Sequence, residues 1–295
     1  MKIINIAKLL VICGIVSLAS CSEKEDVVVN ENNNSKSATA ISISEIESMS
    51  AEIADFHDVA MRRWISDMSS STSSWNDTYY ANVVELLKSV ANQYNFSELD
   101  KSFMISELTN NTSTYSRIAN IAIGSKADFI TYFTSQPQTI LNTNLVLQKT
   151  NTIFDNMEDL FIGTTSYEEF EEKYHAMVDL QLSDVSNMVD YSVIRFYADL
   201  ALSSLNTWGN YFFGTGEYAK ADDKRTWYEA VWDCLVYTWD NYIQPPVEAD
   251  LEAGLGGAVE YLLSGNSWSW AGFGSSFVTG ATVGSIRKVG DMIND

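Results

Sequence analysis

Apolar residues recur every three or four positions along most of the chain, from about residue 44 to Ile243. This spacing places them on one face of a helix, whereas the alternation typical of strands and hairpins is missing. The chain has three prolines, and clusters of serine, asparagine and glycine separate the periodic segments. The pattern predicts an all-α helical bundle, with helices over 44–68, 77–94, 97–109, 112–134, 138–161, 166–190, 191–212 and 222–243.

Two aromatic stripes are the most regular parts of this pattern. The first contains Ile194, Tyr197, Ala201, Leu205 and Trp208, and the second contains Tyr228, Trp232, Leu235, Trp239 and Tyr242. Because residues at these intervals line one helical face, we interpret both stripes as faces of the core. The alternative is an exposed platform on which sugars stack, but such aromatics usually lie on loops or edges.

After Pro245 and Pro246 the pattern changes to small residues four positions apart. One segment contains Ala249, Ala253 and Gly257, and after a turn at 264–267 the next contains Gly272, Ser276, Gly280 and Gly284. Small residues at this spacing let two helix backbones approach closely, and the packing must offset a helix cost of about 1 kcal/mol per glycine. We therefore predict a C-terminal helical hairpin over residues 246–295, packed through these small residues.

This tail resembles the glycine-zipper tails of bacteriocin-like peptides and of uncharacterised Bacteroidota proteins that join a helical domain to such a hairpin. The likeness covers roughly residues 247–290 and rests on the spacing of the small residues. Bacteriocins are usually cationic, whereas this tail is acidic, with Glu248, Asp250, Glu252 and Glu260 against Arg287 and Lys288. Two alternatives remain open. The hairpin either packs on the bundle as a cap or inserts into a membrane.

The first twenty residues have the layout of a secretory signal, with Lys2 and Lys8 ahead of an apolar run over 9–16. The sequence Leu18-Ala19-Ser20-Cys21 resembles the lipobox of bacterial lipoproteins. That resemblance implies cleavage before Cys21 and attachment of lipid to its thiol. The apolar run is shorter than the ~20 residues that a membrane span needs. We therefore expect a signal peptide over 1–20 and a membrane contact through lipid.

The sequence that follows the cysteine is acidic and then rich in asparagine. Its first part, Ser22-Glu23-Lys24-Glu25-Asp26, resembles the surface-export signal of Bacteroidota lipoproteins and implies display on the outer membrane. Residues 21–43 lack a helical period, which predicts a disordered tether. The predicted organisation is therefore this tether, a helical domain over 44–245 and the hairpin.

Charge excludes one class of partner. The chain has 18 basic and 39 acidic residues, and loss of Lys2 and Lys8 with the leader would leave 16 basic residues and a formal charge of −23. Such a surface repels nucleic acid, so we predict no nucleic-acid partner. Of the three cysteines, only Cys234 would remain in the folded part. We interpret it as a buried apolar residue rather than a nucleophile.

The sequence contains no recognisable catalytic or cofactor motif. Glu172 and His175 have the Glu-x-x-His spacing of carboxylate-bridged di-iron bundles, but such a site needs a second motif, and Ala54 stands three residues before His57. We therefore predict no metal and no cofactor, and expect His175 on a solvated, charged face. Acidic pairs such as Asp222-Asp223 are not evidence of catalysis in a chain with 39 acids.

The predicted function is that of a non-enzymatic surface lipoprotein that binds a protein or glycan outside the cell. One alternative is a membrane-active, bacteriocin-like protein whose hairpin enters a bilayer. A contiguous exposed apolar patch on the hairpin would favour a membrane or partner contact. The other alternative is an extracellular hydrolase, favoured by acids that converge in a cleft with one strongly desolvated carboxylate.

Overall fold

The computed structural model describes residues 41–67, 77–110, 117, 126–136, 140–164, 166–213, 239–265 and 267–294. Every regular element among them is helical, which confirms the predicted all-α class for this part of the chain. The elements are α1 (Ile43–Asp67), α2 (Asp77–Gln93), α3 (Lys101–Asn110), α4 (Lys126–Thr134), α5 (Thr143–Gly163), α6 (Tyr167–Leu182), α7 (Met188–Phe213), a π-helical turn (Trp239–Ile243), α8 (Gln244–Leu263) and α9 (Trp270–Asn294).

Two helix boundaries depart from the predicted ones because asparagine side chains cap the helices. α5 begins five residues later than predicted, since Asn142 Oδ1 accepts a hydrogen bond from the N–H of Leu145 at 3.2 Å. The junction between α6 and α7 comes earlier than predicted. There Asn187 Oδ1 accepts hydrogen bonds from the N–H groups of Val189 and Asp190, which starts α7.

A third boundary is set by a carboxylate from a distant part of the chain. Glu52 on α1 is buried and accepts hydrogen bonds from the backbone N–H groups of Ser97 at 2.6 Å, Glu98 at 2.8 Å and Leu99 at 2.6 Å. The Ser97 hydroxyl donates to the same carboxylate at 3.0 Å. These N–H groups are therefore held in a loop, and α3 begins four residues later than predicted.

The glycine-rich segments α8 and α9 lie in the interior of the fold. Residues 246–259 of α8 are buried except for Glu248, and residues 272–286 of α9 are all buried. A helix that is buried on all its faces needs neighbours on all of them. α4 and α7 pack on α8, α1 and α3 pack on α9, and α8 and α9 pack on each other. None of the described helices is long and apolar enough to cross a membrane.

The backbones of α8 and α9 approach most closely at two glycines of α9. A Cβ atom added to Gly280 would lie 3.1 Å from the carbonyl carbon of Ala253 and closer still to its oxygen. A Cβ atom added to Gly284 would lie 2.7 Å from the carbonyl oxygen of Ala249 and would also overlap the Cβ atom of Ala253. At both positions the facing backbone leaves no space for a side chain.

The same contact continues toward the loop between α8 and α9. The Ser276 hydroxyl donates a hydrogen bond to the carbonyl of Gly257 at 3.0 Å. A Cβ atom added to Gly272 would lie 3.0 Å from the ring of Tyr261. Between the two helices Gly265 has a φ of 75°, a left-handed conformation that glycine adopts without strain. The contacts therefore run antiparallel from the turn to the far end of α8.

Aromatic side chains surround this central pair of helices. Phe196 on α7 contacts Phe273 and Phe277 on α9, with ring centroids 6.2 and 5.7 Å apart. All five residues of the first predicted stripe are buried, which confirms their assignment to the core. In the second stripe Trp239 is fully buried and Tyr242 half-buried. The other members, Tyr228, Trp232 and Leu235, lie outside the described residues, as does Cys234.

Candidate functional site

A cleft of about 330 Å³, including its open mouth, lies between α4, α5, α7 and α8. Its walls are largely apolar and include Phe129 and Phe154. Its charged side chains are Lys126 from α4 and Glu248 and Glu252 from α8. The volume of 330 Å³ includes open solvent, and the cavity proper is about 20 Å³, which is room for one small polar group rather than for a whole drug-sized ligand. We call it the acidic cleft.

Glu252 is the most unusual side chain in the acidic cleft. The residue is 6 % exposed, and no hydrogen bond from a described residue reaches its carboxyl group. Burial and then the charge of Glu248 raise the pKa of Glu252 to about 8, although Lys126 and Lys288 act in the opposite direction. At neutral pH Glu252 is therefore mostly protonated in the folded protein.

Glu248 lies one helical turn before Glu252, so both side chains project from the same face of α8. The Lys126 ammonium lies 3.4 Å from Glu248 Oε1, with side-chain exposures of 47 % and 30 %. The same ammonium lies 5.7 Å from the centre of the Phe154 ring, within the range of a cation–π interaction. The chain itself thus places an ammonium group between a carboxylate and an aromatic face.

Tyr197 from α7 also lines the acidic cleft. Burial raises the pKa of its hydroxyl well above the usual value, and Tyr174, Glu252 and Glu248 add to the effect. Tyr197 therefore stays neutral across the physiological range and can give or accept a hydrogen bond but cannot act as a base. The charged groups that shift the pKa of Glu252 are Glu248, Lys126 and Lys288.

A second polar cluster lies deeper in the core, around Asp250 on another face of α8. His57 Nε2 on α1 lies 3.4 Å from Asp250 Oδ2, and the Trp208 indole N–H donates to the same oxygen at 3.1 Å. The Ser204 hydroxyl also donates to this oxygen. Burial raises the pKa of Asp250, while His57 and the two donors oppose the shift.

This cluster has the residue types of a serine hydrolase triad without its geometry. In such a triad the histidine accepts the proton of the serine, and the aspartate binds the other side of the imidazole. Here Ser204 and His57 both face the same oxygen of Asp250, and all three side chains are fully buried. We therefore interpret the cluster as a structural contact that joins α1, α7 and α8.

The residues considered for metal binding lie apart from each other. His57 is buried beside Asp250, whereas Glu172 and His175 are exposed on α6. Among the described residues, no three histidine, cysteine, aspartate or glutamate side chains come together in a way that could hold a metal ion. The predicted lipid site, Cys21, lies outside the described residues.

The small residues that the sequence singles out all lie in the interior contact between α8 and α9, away from solvent. Neither Glu252 nor Asp250 is predicted from the sequence as a site residue. The available signal was their context, because the other residues of 246–259 are small or apolar apart from Glu248. A charged residue within a helix that is buried all round needs a buried partner or a ligand.

No family model, curated protein or solved structure matches this chain.

Proposed function

We propose that this protein is a non-enzymatic lipoprotein, held on the outer membrane by lipid on Cys21 and displayed on the cell surface, where it binds a ligand in the acidic cleft. The observation that supports the binding role is the burial of Glu252 in the wall of this cleft. Burial of a carboxyl group without a hydrogen-bond partner costs free energy on folding. Such a group at the wall of an open cleft serves binding better than stability.

The anchoring role rests on the sequence around Cys21. Each methylene of a lipid chain contributes about 0.8 kcal/mol to membrane binding, so one chain holds marginally and two or three hold firmly. α1 begins at Ile43, where the tether over 21–43 is predicted to end. A tether of this length would carry the helical domain away from the lipid surface.

The packing of α8 and α9 supports this role over a membrane-active one. We infer that their small residues form a glycine zipper that holds together the centre of a helical bundle. Insertion into a bilayer would remove both helices from contacts with α1, α3, α4 and α7. It would also take Asp250 and Glu252 into the lipid, where a charged side chain costs roughly 3 kcal/mol near the bilayer centre.

A second candidate function is that of an extracellular hydrolase, and the acidic cleft gives an observation in its favour. A carboxyl group that is protonated at neutral pH beside a second carboxylate is the arrangement used for glycoside hydrolysis. However, Glu248 is paired with Lys126 and does not stand free to activate water. The cleft is also small for a polymer chain. These two features favour binding over hydrolysis.

The binding role is tested with a fragment of residues 22–295, which retains every residue that the structure describes. Labelled fragment is titrated onto intact cells and onto peptide and glycan arrays. We expect saturable binding that Glu252→Gln weakens at least tenfold. Glu260→Gln is the matched control, because Glu260 lies on the same helix but is paired with Arg117 and Tyr132 outside the cleft.

Three outcomes would contradict the binding role. One is the absence of saturable binding by folded fragment, and another is binding that Glu252→Gln and Glu260→Gln reduce equally. The third is steady turnover of a polysaccharide that is lost in Glu252→Gln, which would establish the hydrolase instead.

The anchoring role is tested in cells that produce the full chain. We expect an alkyne-bearing palmitate to label the protein and added protease to digest it on intact cells. Cys21→Ser should abolish the label and release the protein from the membrane fraction. Equal labelling of the two proteins would contradict attachment at Cys21.

A further inference from the structure

We propose that the ligand of the acidic cleft is a primary alkylammonium group, which replaces the Lys126 ammonium beside Glu248 and forms a second ion pair with Glu252. The proposal rests on the binding role of the cleft and specifies the chemistry of what binds there. The source of the ammonium is either a free amine or a lysine side chain of another protein.

The cleft already accommodates an ammonium group. Lys126 Nζ lies 3.4 Å from Glu248 Oε1 and 5.7 Å from the centre of the Phe154 ring. Lys126 is the first residue of α4 and its side chain is 47 % exposed, so its place beside Glu248 can be reached from solvent. An external ammonium can therefore compete for the same place without disturbing the core.

The cleft also holds two carboxyl groups, and the Lys126 ammonium pairs with only one of them. The ion pairs of the described residues include Glu248 but not Glu252. Glu252 is only 6 % exposed and lies in the wall of the cleft. A ligand that carries one positive charge would give Glu252 the partner that the described residues do not supply.

The cleft also matches a primary ammonium in its hydrogen-bonding groups. A primary ammonium has three donors and needs three acceptors. The carboxylates of Glu248 and Glu252 supply two, and Thr150 and Asn151, which also line the cleft, are residues with an oxygen acceptor in the side chain. Leu147 and the aromatic rings of the cleft offer apolar contact to a short alkyl chain. A quaternary ammonium has no donors and would leave these acceptors unsatisfied.

Charge and the number of available oxygen ligands count against phosphates and calcium as ligands. The chain has a formal charge of −21, which attracts cations and repels anions such as phosphates. A calcium ion takes six to eight oxygen ligands. Two glutamates one turn apart supply few of these, and the described residues place no third acidic side chain beside them.

Binding of an ammonium should also release a proton. Glu252 has a pKa of about 8 in the free protein, where Glu248 raises it and Lys126 and Lys288 lower it. Tyr197, which faces the same cleft, stays neutral in this range. A bound positive charge favours the ionised form of Glu252, so the ligand displaces its proton. Affinity should therefore rise with pH, by up to about 50-fold between pH 6 and pH 8.

The experiment is isothermal titration calorimetry of fragment 22–295 at several pH values, in pairs of buffers with different ionisation enthalpies. The probes are n-butylamine, as a free amine, and Nα-acetyl-lysine methylamide, as a lysine side chain. n-Butanol and tetramethylammonium are the controls for the alkyl chain and for charge. We expect both amines to bind saturably with proton release, and neither control to bind. The tighter of the two amines indicates the source of the natural ligand.

Three variants separate this proposal from unspecific attraction by an acidic surface. Glu252→Gln keeps the shape of the side chain, and should weaken amine binding at least tenfold and abolish the pH dependence. Lys126→Met removes the internal ammonium and should tighten binding. Glu260→Gln makes the same charge change elsewhere on α8 and should leave binding unchanged. Circular dichroism of each variant confirms that it is folded.

The inference is overturned if folded fragment binds no primary amine at tens of millimolar, or if tetramethylammonium binds equally well. Binding without proton release, or binding that Glu252→Gln leaves unchanged, also overturns it. A ligand without an ammonium group, bound saturably and lost in Glu252→Gln, would overturn the alkylammonium assignment and retain the binding role. If no ligand of any class depends on Glu252, the proposed function fails as well.

Discussion

Replacing Gly280 by alanine adds one methyl group at the closest approach of α8 and α9. In an open helix this change stabilises a protein by up to about 1 kcal/mol. At Gly280 the new Cβ atom would lie 3.1 Å from the carbonyl carbon of Ala253 and 3.2 Å from the Cα atom of Gly257. Non-bonded carbons prefer separations of about 3.5–4.0 Å. Both neighbours are backbone atoms, so relief requires the two helices to move apart.

Extra methyl groups in a packed core cost about 1–3 kcal/mol, and the carbonyl oxygen of Ala253 is closer than either carbon. We therefore expect Gly280→Ala to lower the free energy of unfolding by about 2 kcal/mol. Gly290→Ala is the matched control, because Gly290 lies on the same helix with nothing within 4 Å of an added Cβ. This control should be neutral or slightly stabilising.

The assay is urea denaturation of fragment 22–295, followed by far-ultraviolet circular dichroism. Gly254→Ala provides an intermediate case, because its added Cβ would lie 2.9 Å from a ring atom of Phe277, and a side chain shifts more easily than the backbone atoms that face Gly280. We expect the stability order Gly290→Ala, Gly254→Ala, Gly280→Ala, from most to least stable. If Gly280→Ala were as stable as Gly290→Ala, the close approach at Gly280 would not exist.

Further predictions concern single buried groups. Because the pKa of Glu252 is about 8 in the folded state and 4.5 in the unfolded state, folding takes up a proton between these values, so stability should fall as pH rises from about 5 to 8. Glu252→Gln should remove that fall, which is at most about 5 kcal/mol, in urea titrations across this range. Glu52→Gln should lower the free energy of unfolding by about 2 kcal/mol, since the amide cannot accept all four hydrogen bonds that the carboxylate accepts. Glu47→Gln, at an exposed position on the same helix, should stay within about 0.5 kcal/mol of the wild type. Tyr174→Phe should cost about 1 kcal/mol in the same assay, because its hydroxyl donates to the carbonyl of Ala198 at 2.8 Å.

The helices could be predicted where their ends are set by nearby residues. The predicted segments 44–68 and 77–94 agree to within one residue with α1 and α2. The start of α3 could not be predicted, because its position depends on Glu52, which is 45 residues away from Ser97. Periodicity reports which face of a helix is apolar, and carries no information on which distant carboxylate meets the next loop.

The acidic cleft could not be predicted from the sequence for a similar reason. The spacing of Glu248 and Glu252 is visible in the sequence, and it predicts that both lie on one face of a helix. Their difference in burial is not visible, because it comes from α4, α5 and α7, which cover Glu252 and leave Glu248 partly exposed. The perturbed pKa of Glu252 therefore belongs to the tertiary structure rather than to any local motif.

The small residues and the acidic cleft are connected because they share α8. Ala249 and Ala253 face α9, and Glu248 and Glu252 precede each of them by one residue, which is a rotation of about 100° around the helix axis. Contact between α8 and α9 at Gly280 therefore fixes the direction in which Glu252 points. The seven small residues predicted from the sequence would then position the cleft without touching its ligand.

A last prediction concerns the effect of the contact between α8 and α9 on the binding role proposed for the acidic cleft. Gly280→Ala at low denaturant, where it remains folded, should bind n-butylamine more weakly than the wild type, because α8 must move or rotate to make room for the methyl group. Gly290→Ala should bind it normally. The pH dependence of binding should shrink in Gly280→Ala, because any opening of the cleft hydrates Glu252 and lowers its pKa toward the usual value. Unchanged affinity and unchanged pH dependence in a destabilised Gly280→Ala protein would show that the packing of α8 on α9 supports the fold alone.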